Sequence, residues 1–496
     1  MTATPTRQLI RVRWSSTNDE DAFDVQNPAT GETIAVVQGA GPGEVDAAVR
    51  AAHAGHLKWK ERPPLERGRY LHRIAQVVRE HADEIAALET SDNGKPTTQA
   101  RSFDLEAASG LFEMYAGMMA AHPSAATNNG PLLDITTLEP YGVIGAIVPF
   151  NWPPNHTAGK IAPALAMGNG VVLKPPEQAP LSVLRMVELI QEVLPDDVVQ
   201  VVPGRGPVGA AVARHPLVRK ISFTGSPETA TAVLKTAADN LTPALLELGG
   251  KNPFVVFDDV DLDEVVPWMV EAAFFNQGEA CTAASRLLVH ASIYDEVARR
   301  LGAAVSRLRV GDGASPDTHV GPMVTEAQRK RVLNYLDIGV AEGAVIAAQA
   351  GLPDDPRLSG GYFVRPTLLT GVTPDMRVAQ EEIFGPVTAM IRFEDEAEAI
   401  SIANGTAFGL VASVFSRDNG RAMRVSNAMR CGIVYVNHYN RKSVGVPFGG
   451  VGASGYGREH ALETLGEFGF SKSLRIPNGL GEIPSWPPSH EVVAES

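Results

Sequence analysis

An α/β fold with doubly wound parallel sheets is what this sequence predicts, on two observations. From Val143 onward, short and almost wholly apolar runs alternate with segments of helical periodicity, and strands apolar on both faces belong to parallel sheets covered by helices. The chain is also 496 residues long. That exceeds what one hydrophobic core serves, and about 150 residues per domain gives roughly three domains.

The elements follow in order. The first twenty residues are polar, and Val25 to Val37 reads as a strand pair around the turn Asn27-Pro28-Ala29-Thr30-Gly31. Apolar residues then recur every three to four positions over Glu44 to Ala54, Pro64 to His81, Ala82 to Ser91 and Asp104 to Ala121, predicting four helices. His122 to Gly130 is a polar break. Beyond it, strands are expected at Val143 to Pro149, Gly170 to Leu173, Val198 to Val202, Lys220 to Phe223 and Pro243 to Leu248. Helices are expected between them, at Ala158 to Leu165, Pro180 to Val193, Val208 to Arg214 and Pro227 to Asp239. A second alternating region runs from Asn252 through strands Phe254 to Phe257, Arg286 to Val289, Val387 to Phe393 and Gly432 to Val436. Its helices are expected at Leu262 to Phe275, Tyr294 to Leu308 and Thr325 to Glu342, and a last strand at Phe468 to Ile476. Parallel sheets bind ligands at the carboxyl ends of their strands, which directs attention to the residues after Phe150, Leu173, Phe223 and Leu248.

Composition excludes several function classes. The net charge of -14, from 57 acidic and 43 basic residues, disfavours nucleic acid as a partner. No apolar run is long enough for a membrane span, and Met1 to Trp14 has no signal-peptide core, so no membrane association and a cytoplasmic location are expected. Two cysteines rule out a disulfide scaffold or a thiolate metal cluster, and the 12 histidines show no zinc-binding spacing, so no metal is expected.

Three residues carry candidate chemistry. Cys281 follows a predicted helix in the polar segment Asn276-Gln277-Gly278-Glu279-Ala280-Cys281-Thr282, and amides at a helix amino terminus would stabilise its thiolate. Glu247 closes the apolar run Ala244-Leu245-Leu246-Glu247 before Gly249-Gly250. Desolvation there would raise its pKa into the range of a general base. Asn151 follows the strand end Val148-Pro149-Phe150, where a side-chain amide suits an oxyanion. Lys174 and Glu177 bracket Pro175-Pro176 after a strand, and Gly225-Ser226 open a helix, a setting suited to phosphate. Gly204-x-Gly206-x-x-Gly209 formally matches a dinucleotide fingerprint but lacks the acidic residue at the end of a second strand, so the match is taken as coincidental.

Together these residues resemble the NAD(P)-dependent aldehyde dehydrogenase superfamily, from about residue 22 to 477. The resemblance rests on blocks in the family's order: Pro149-Phe150-Asn151-Trp152-Pro153, Leu173-Lys174-Pro175-Pro176-Glu177, Phe223-Thr224-Gly225-Ser226 and Leu246-Glu247-Leu248-Gly249-Gly250-Lys251. Asn276-Gln277-Gly278 through Cys281, Glu381-Glu382-Ile383-Phe384-Gly385-Pro386, and Pro447-Phe448-Gly449-Gly450 with Gly457-Arg458-Glu459 complete it, with 34 residues from Glu247 to Cys281.

The resemblance implies Cys281 as nucleophile, Glu247 as general base for hydrolysis, and Asn151 with the Cys281 amide as oxyanion hole. Lys174 and Glu177 would contact the adenosine ribose, Ser226 the pyrophosphate, and Glu382 with Phe384 the nicotinamide half. Phe150, Trp152, Gly206, Phe223, Thr224, Gly225, Leu248 and Gly249 join them as cofactor-binding candidates. NAD is the expected cofactor, because a 2′-phosphate would meet the charge of Glu177, and NADP is the alternative. The implied architecture has an NAD-binding domain over 1–122 and 142–249 and a catalytic domain over 250–467. An oligomerisation element covers 123–141 and 468–483, with a flexible tail at 484–496. A homodimer or homotetramer is expected. The presence of Glu247 sets the chain apart from the coenzyme-A-acylating branch.

Departures from the family's pattern concern the substrate. Pro154, Asn155 and His156 stand where aliphatic residues are usual, and Gly159 where many members have a bulky aromatic. Arg441 and Lys442 fall in the loop at the substrate mouth. A polar aldehyde or a semialdehyde is therefore one expectation, and broader aliphatic or aromatic specificity is the alternative. The competing readings are an acyl phosphate or thioester reductase on the same scaffold and a non-enzymatic structural relative.

Overall fold

The computed structural model describes residues 21–119, 124–439, 444–483 and Val493. An antiparallel pair, β1 (Phe23–Gln26) and β2 (Thr33–Val37), precedes helices α1 (Pro42–Trp59), α2 (Pro64–Glu80) and α3 (Ala82–Asn93). A π-helical turn at Ala100–Asp104 leads into α4 (Leu105–Met119). Two strands not expected from periodicity follow, β3 (Ala125–Asn129) and β4 (Leu132–Pro140).

The first parallel sheet then forms from β5 (Val143–Ile147), β6 (Gly170–Lys174), β7 (Val199–Val201), β8 (Val218–Thr224) and β9 (Ala244–Glu247). Its helices are α5 (Pro153–Ala166), α6 (Leu181–Val193), α7 (Gly206–Arg214) and α8 (Pro227–Ala238). Every residue of β5, β6 and β9 is buried, which is why these strands read as unbroken apolar runs. The spatial order β9-β8-β5-β6-β7 reverses between β5 and β8. At such a reversal the two following loops diverge and leave a crevice outside the carboxyl ends. Phe150 and Asn151 follow β5 there, and Gly225 and Ser226 follow β8.

The second sheet is built from β10 (Pro253–Val256), β11 (Arg286–His290), β12 (Val345–Gln349), β13 (Thr367–Thr370), β14 (Val387–Phe393), β15 (Val411–Phe415) and β16 (Ile433–Val436). Its order is β12-β13-β14-β11-β10-β15-β16, parallel except for β12. Helices α9 (Leu262–Phe274), α10 (Tyr294–Val305), α11 (Glu326–Ala341), α12 (Glu396–Ala403) and α13 (Asn419–Ala428) belong to this half. Only Leu248 to Asn252 separate β9 from β10, so the carboxyl edge of the first sheet abuts the amino edge of the second. Within the 250–467 span, the short β17 (Gly455–Tyr456) crosses back and pairs antiparallel with β9. The last strand, β18 (Gly469–Pro477), pairs antiparallel with all nine residues of β4, giving the three-stranded sheet β18-β4-β3. Among the described residues, no helix is long and apolar enough to cross a membrane. The α/β architecture with doubly wound sheets and a small separate β element is as expected.

Candidate active site

Cys281 lies at the seam between the two sheets. No helix begins at this residue, contrary to the expectation of a helix amino terminus. It sits in a turn after α9 and before β11, and side chains from elsewhere fix that turn. Asn252 Nδ2 donates to the carbonyls of Cys281 at 2.7 Å and Ala283 at 2.9 Å. Tyr439 donates its hydroxyl to the carbonyl of Thr282 at 2.6 Å. Upstream, Asn276, Gln277 and Gly278 all have positive φ, at 54°, 56° and 69°. Two of the three carry side chains, and such strain persists only where surrounding contacts hold it. Asn276 supplies one, donating from Nδ2 to the carbonyls of Asn151 at 3.0 Å and Glu279 at 2.9 Å. The nucleophile segment and the Asn151 loop are thereby tied together.

Two cavities meet at Cys281. The first, of about 540 Å³, is lined by Phe150, Asn151, Thr224, Gly225, Ser226, Leu248, Gly249, Glu382 and Phe384, together with Cys281. The second, of about 590 Å³, is lined by Phe103, Trp152, Asn155, His156, Tyr435, Phe448 and His460, again with Cys281. Trp152, grouped above with the cofactor residues, thus faces the other side, stacked on Phe275 at 5.7 Å between ring centroids. Lys174, Glu177, Gly206 and Phe223 line neither cavity. Lys174 Nζ pairs with Glu177 Oε2 at 2.6 Å at the carboxyl end of β6. Gly206 begins α7, and the Phe223 ring lies beneath Gly225.

The first cavity has the chemistry of a dinucleotide site. Ser226 caps α8, its Oγ accepting from Thr229 N at 3.2 Å, and the unpaired amides of a first turn favour phosphate. A Cβ on Gly225 would lie 2.6 Å from the Phe223 ring, and one on Gly249 would strike the Glu382 carboxylate. At 225 glycine lets the backbone approach the Phe223 ring, and at 249 it leaves the place the Glu382 carboxylate takes. Glu382 accepts from Gly250 N at 2.9 Å, and enclosure pushes its carboxyl up to about 7. Phe384 is held at φ 61° with its ring edge-on to Phe150, and Gln328 anchors its carbonyl at 2.6 Å. An apolar slot beside Cys281, a buried carboxylate and a helix amino terminus are groups chemically suited to the parts of NAD.

Glu247 lines neither cavity. It lies at the end of β9, 2% exposed, with no hydrogen-bond partner on either oxygen among the described residues. A Cβ at position 449 would lie 2.6 Å from its Oε1, so Gly449 makes the room it occupies. Burial, and then the neighbouring Glu459 charge, push its carboxyl well above the usual range, while Lys160 and Arg458 oppose this. Lys160, fully buried, donates to Glu459 Oε1 at 2.9 Å, Thr224 Oγ1 at 2.8 Å and Ser222 Oγ at 3.1 Å. Lys160 escaped sequence reasoning, and Glu459 was noted only within its block. Gly159, though it stands where a bulky aromatic is common, opens no vacant space, because His460 packs over it. Arg441 and Lys442 lie outside the described residues. Among the described residues, no cluster of His, Cys, Asp or Glu is placed to hold a metal ion.

Comparison with known proteins agrees with this geometry. The model of the aldehyde dehydrogenase family matches residues 14–474. An aldehyde dehydrogenase of Didymella fabae is 46% identical over 485 residues, covering 98% of each chain. Human retinal dehydrogenase 2 is 41% identical over 487 residues, covering 97% of this chain and 92% of the relative. Betaine aldehyde dehydrogenase of Staphylococcus aureus, solved with NAD bound, superposes with a TM-score of 0.92 at 35% identity, covering 95% of both chains. The chain belongs to the NAD(P)-dependent, non-coenzyme-A-acylating aldehyde dehydrogenase family.

Proposed function

We propose that this enzyme oxidises an aldehyde to a carboxylic acid through a thioester on Cys281, with NAD as its preferred cofactor. The observation that carries the reading is the shared position of Cys281, the one candidate catalytic residue that lines both cavities. The aldehyde enters through the second cavity, and the first takes the cofactor. NAD, when bound, supplies the acceptor for the hydride.

The Cys281 thiolate attacks the carbonyl carbon, forming a C–S bond and moving the C=O electron pair onto oxygen. Asn151 and the Cys281 backbone amide donate to that oxyanion. Its collapse breaks the C–H bond and leaves a thioester on Cys281. Glu247 swings from its inward position, takes a proton from water, and the water oxygen attacks the thioester. The C–S bond breaks, releasing the acid and the thiolate.

NAD preference follows from the Lys174–Glu177 pair. The Lys174 ammonium is already engaged by Glu177, so it offers less to a 2′-phosphate than a free lysine would. Assembly as a homodimer or homotetramer is supported by β18, an edge strand of the small sheet with Phe470, Leu474 and Ile476 exposed along one face. An anionic semialdehyde fits the second cavity less well. Its described lining carries Arg79 against Glu106 and Glu113, and Glu113 already holds Arg79 with Oε2 at 2.6 Å.

The test is aldehyde-dependent reduction of NAD and NADP by the wild type and by Cys281→Ser. The expected result is higher kcat/KM with NAD and a loss of at least about a thousandfold in the variant. Near-normal turnover by Cys281→Ser would overturn the mechanism, and a higher efficiency with NADP would overturn the cofactor preference.

A further inference from the structure

The second cavity contains a polar feature for which the oxidation chemistry has no use. His156, in the first turn of α5, is 4% exposed and lines the cavity with Cys281. Neither of its ring nitrogens has a hydrogen-bond partner among the described residues. His460 lines the same cavity, and its Nε2 is buried without a hydrogen-bond partner among the described residues, 4.0 Å from Glu459 Oε2. Position 159 brings the two together. A Cβ there would lie 3.1 Å from His460 Nε2, so glycine leaves the place that the second imidazole fills. His460 is also held at φ 66°, in the left-handed region that few side-chain-bearing residues adopt.

Buried nitrogens without partners are costly, and a ligand that supplies the partner recovers part of that cost. Burial holds both imidazoles below their ordinary pKa, His156 well below; at His460 the Glu459 charge opposes the shift, and the Lys160 charge adds to it at both rings. Each ring is therefore neutral near neutral pH, with one donor and one acceptor nitrogen. A half-turn about Cβ–Cγ exchanges nitrogen and carbon positions around the ring without changing its outline, so either edge can be offered to the cavity. Around the pair stand Phe103, Trp152, Tyr435 and Phe448, flat apolar surfaces suited to a planar ring.

We propose that His156 and His460 determine specificity by hydrogen-bonding a hydroxyl on the substrate's ring, so that hydroxylated aromatic aldehydes are the preferred substrate class. This rests on the aldehyde-oxidising reading above. It also gives the Asn155-His156 departure and Gly159 a common purpose, since one supplies the first imidazole and the other admits the second.

The experiment compares kcat/KM for benzaldehyde and its three monohydroxylated forms at saturating NAD, in the wild type, His156→Phe, His156→Gln and His460→Leu. The intrinsic reactivity of each aldehyde cancels when the hydroxylated-to-plain ratio is compared between proteins. For at least one isomer this ratio is expected to fall about tenfold in His156→Phe and in His460→Leu, the worth of one hydrogen bond. His156→Gln, which keeps a donor and an acceptor, is expected to recover part of the loss. Calorimetric titration of the same aldehydes into Cys281→Ala, where no covalent adduct forms, reads the preference with both histidines in place. Ratios unchanged in His156→Phe and His460→Leu, or equal Kd for plain and hydroxylated aldehydes, would overturn the proposal. Failure of the underlying reading shows separately, as no NADH from any aldehyde with the wild type, and calorimetry then still decides the role of the pair.

Discussion

Glu247 governs the second half of the proposed reaction, and its surroundings set the pH at which it acts. A general base must be ionised, and burial beside Glu459 raises its pKa above the ordinary 4.5. Thioester hydrolysis is therefore expected to increase with pH through a limb lying above the usual carboxylate range, read from single-turnover rates. Lys160 opposes the shift, so Lys160→Met should move the limb to still higher pH. The same substitution strands Glu459 without its cation at a buried site and should cost roughly 3–5 kcal/mol of stability. A limb unmoved in a folded Lys160→Met protein would contradict the assignment. Cys281, Glu247 and Asn151 were each legible because a chemical residue type stands at the end of an apolar run or in a glycine-bearing segment. Lys160 was not, since its partner Glu459 is 299 residues away and no local pattern announces the contact. His460 had no signal either, for the same reason.

At the scale of elements, one departure from periodicity that bears on the site is the start of α5. The apolar pattern places it at Ala158, whereas the helix begins at Pro153. Pro153 and Pro154 occupy the first positions of the helix, where the missing N–H groups have no intrahelical partner to lose. Residues that look like a rigid loop are the start of the helix. This shift puts Asn151 just before the cap residue Trp152 and sets Asn155 and His156 on the first turn, facing the second cavity. Strands β3 and β4 escaped detection because they are nowhere fully buried, so no apolar run marks them. Their partner β18 was found, as it ends the last stretch of alternating character. Leu474, 44% exposed on β18, sits on the face expected to meet another subunit. Leu474→Asp would bury a carboxylate there at about 2 kcal/mol or more, weakening assembly at least about thirtyfold. Sedimentation is expected to show the wild type as a dimer or larger and the variant shifted towards 52.7 kDa. A wild type sedimenting only at that mass would contradict the assembly.

At the scale of the whole molecule, the site arises from how two sheets meet. The crevice at the reversal of the first sheet was readable in advance, since the rule for parallel sheets points to the residues after β5, β8 and β9, and all three groups line the first cavity. The same rule also points after β6, where Lys174 and Glu177 stand outside that cavity. It says nothing about the nucleophile, which comes from the amino edge of the second sheet, carried there by the turn before β11. Cys281 therefore faces one cavity lined largely by the first sheet's loops and another lined by α4, α5 and β16. In the proposed mechanism this one residue holds the acyl group between the two half-reactions. Rapid mixing of aldehyde and NAD with Glu247→Gln tests it most directly, following NADH absorbance and then the mass of the quenched protein. A burst of about one NADH per site followed by little turnover is expected, with the acyl mass located on Cys281. Steady turnover without a burst, or a burst leaving Cys281 unmodified, would contradict it.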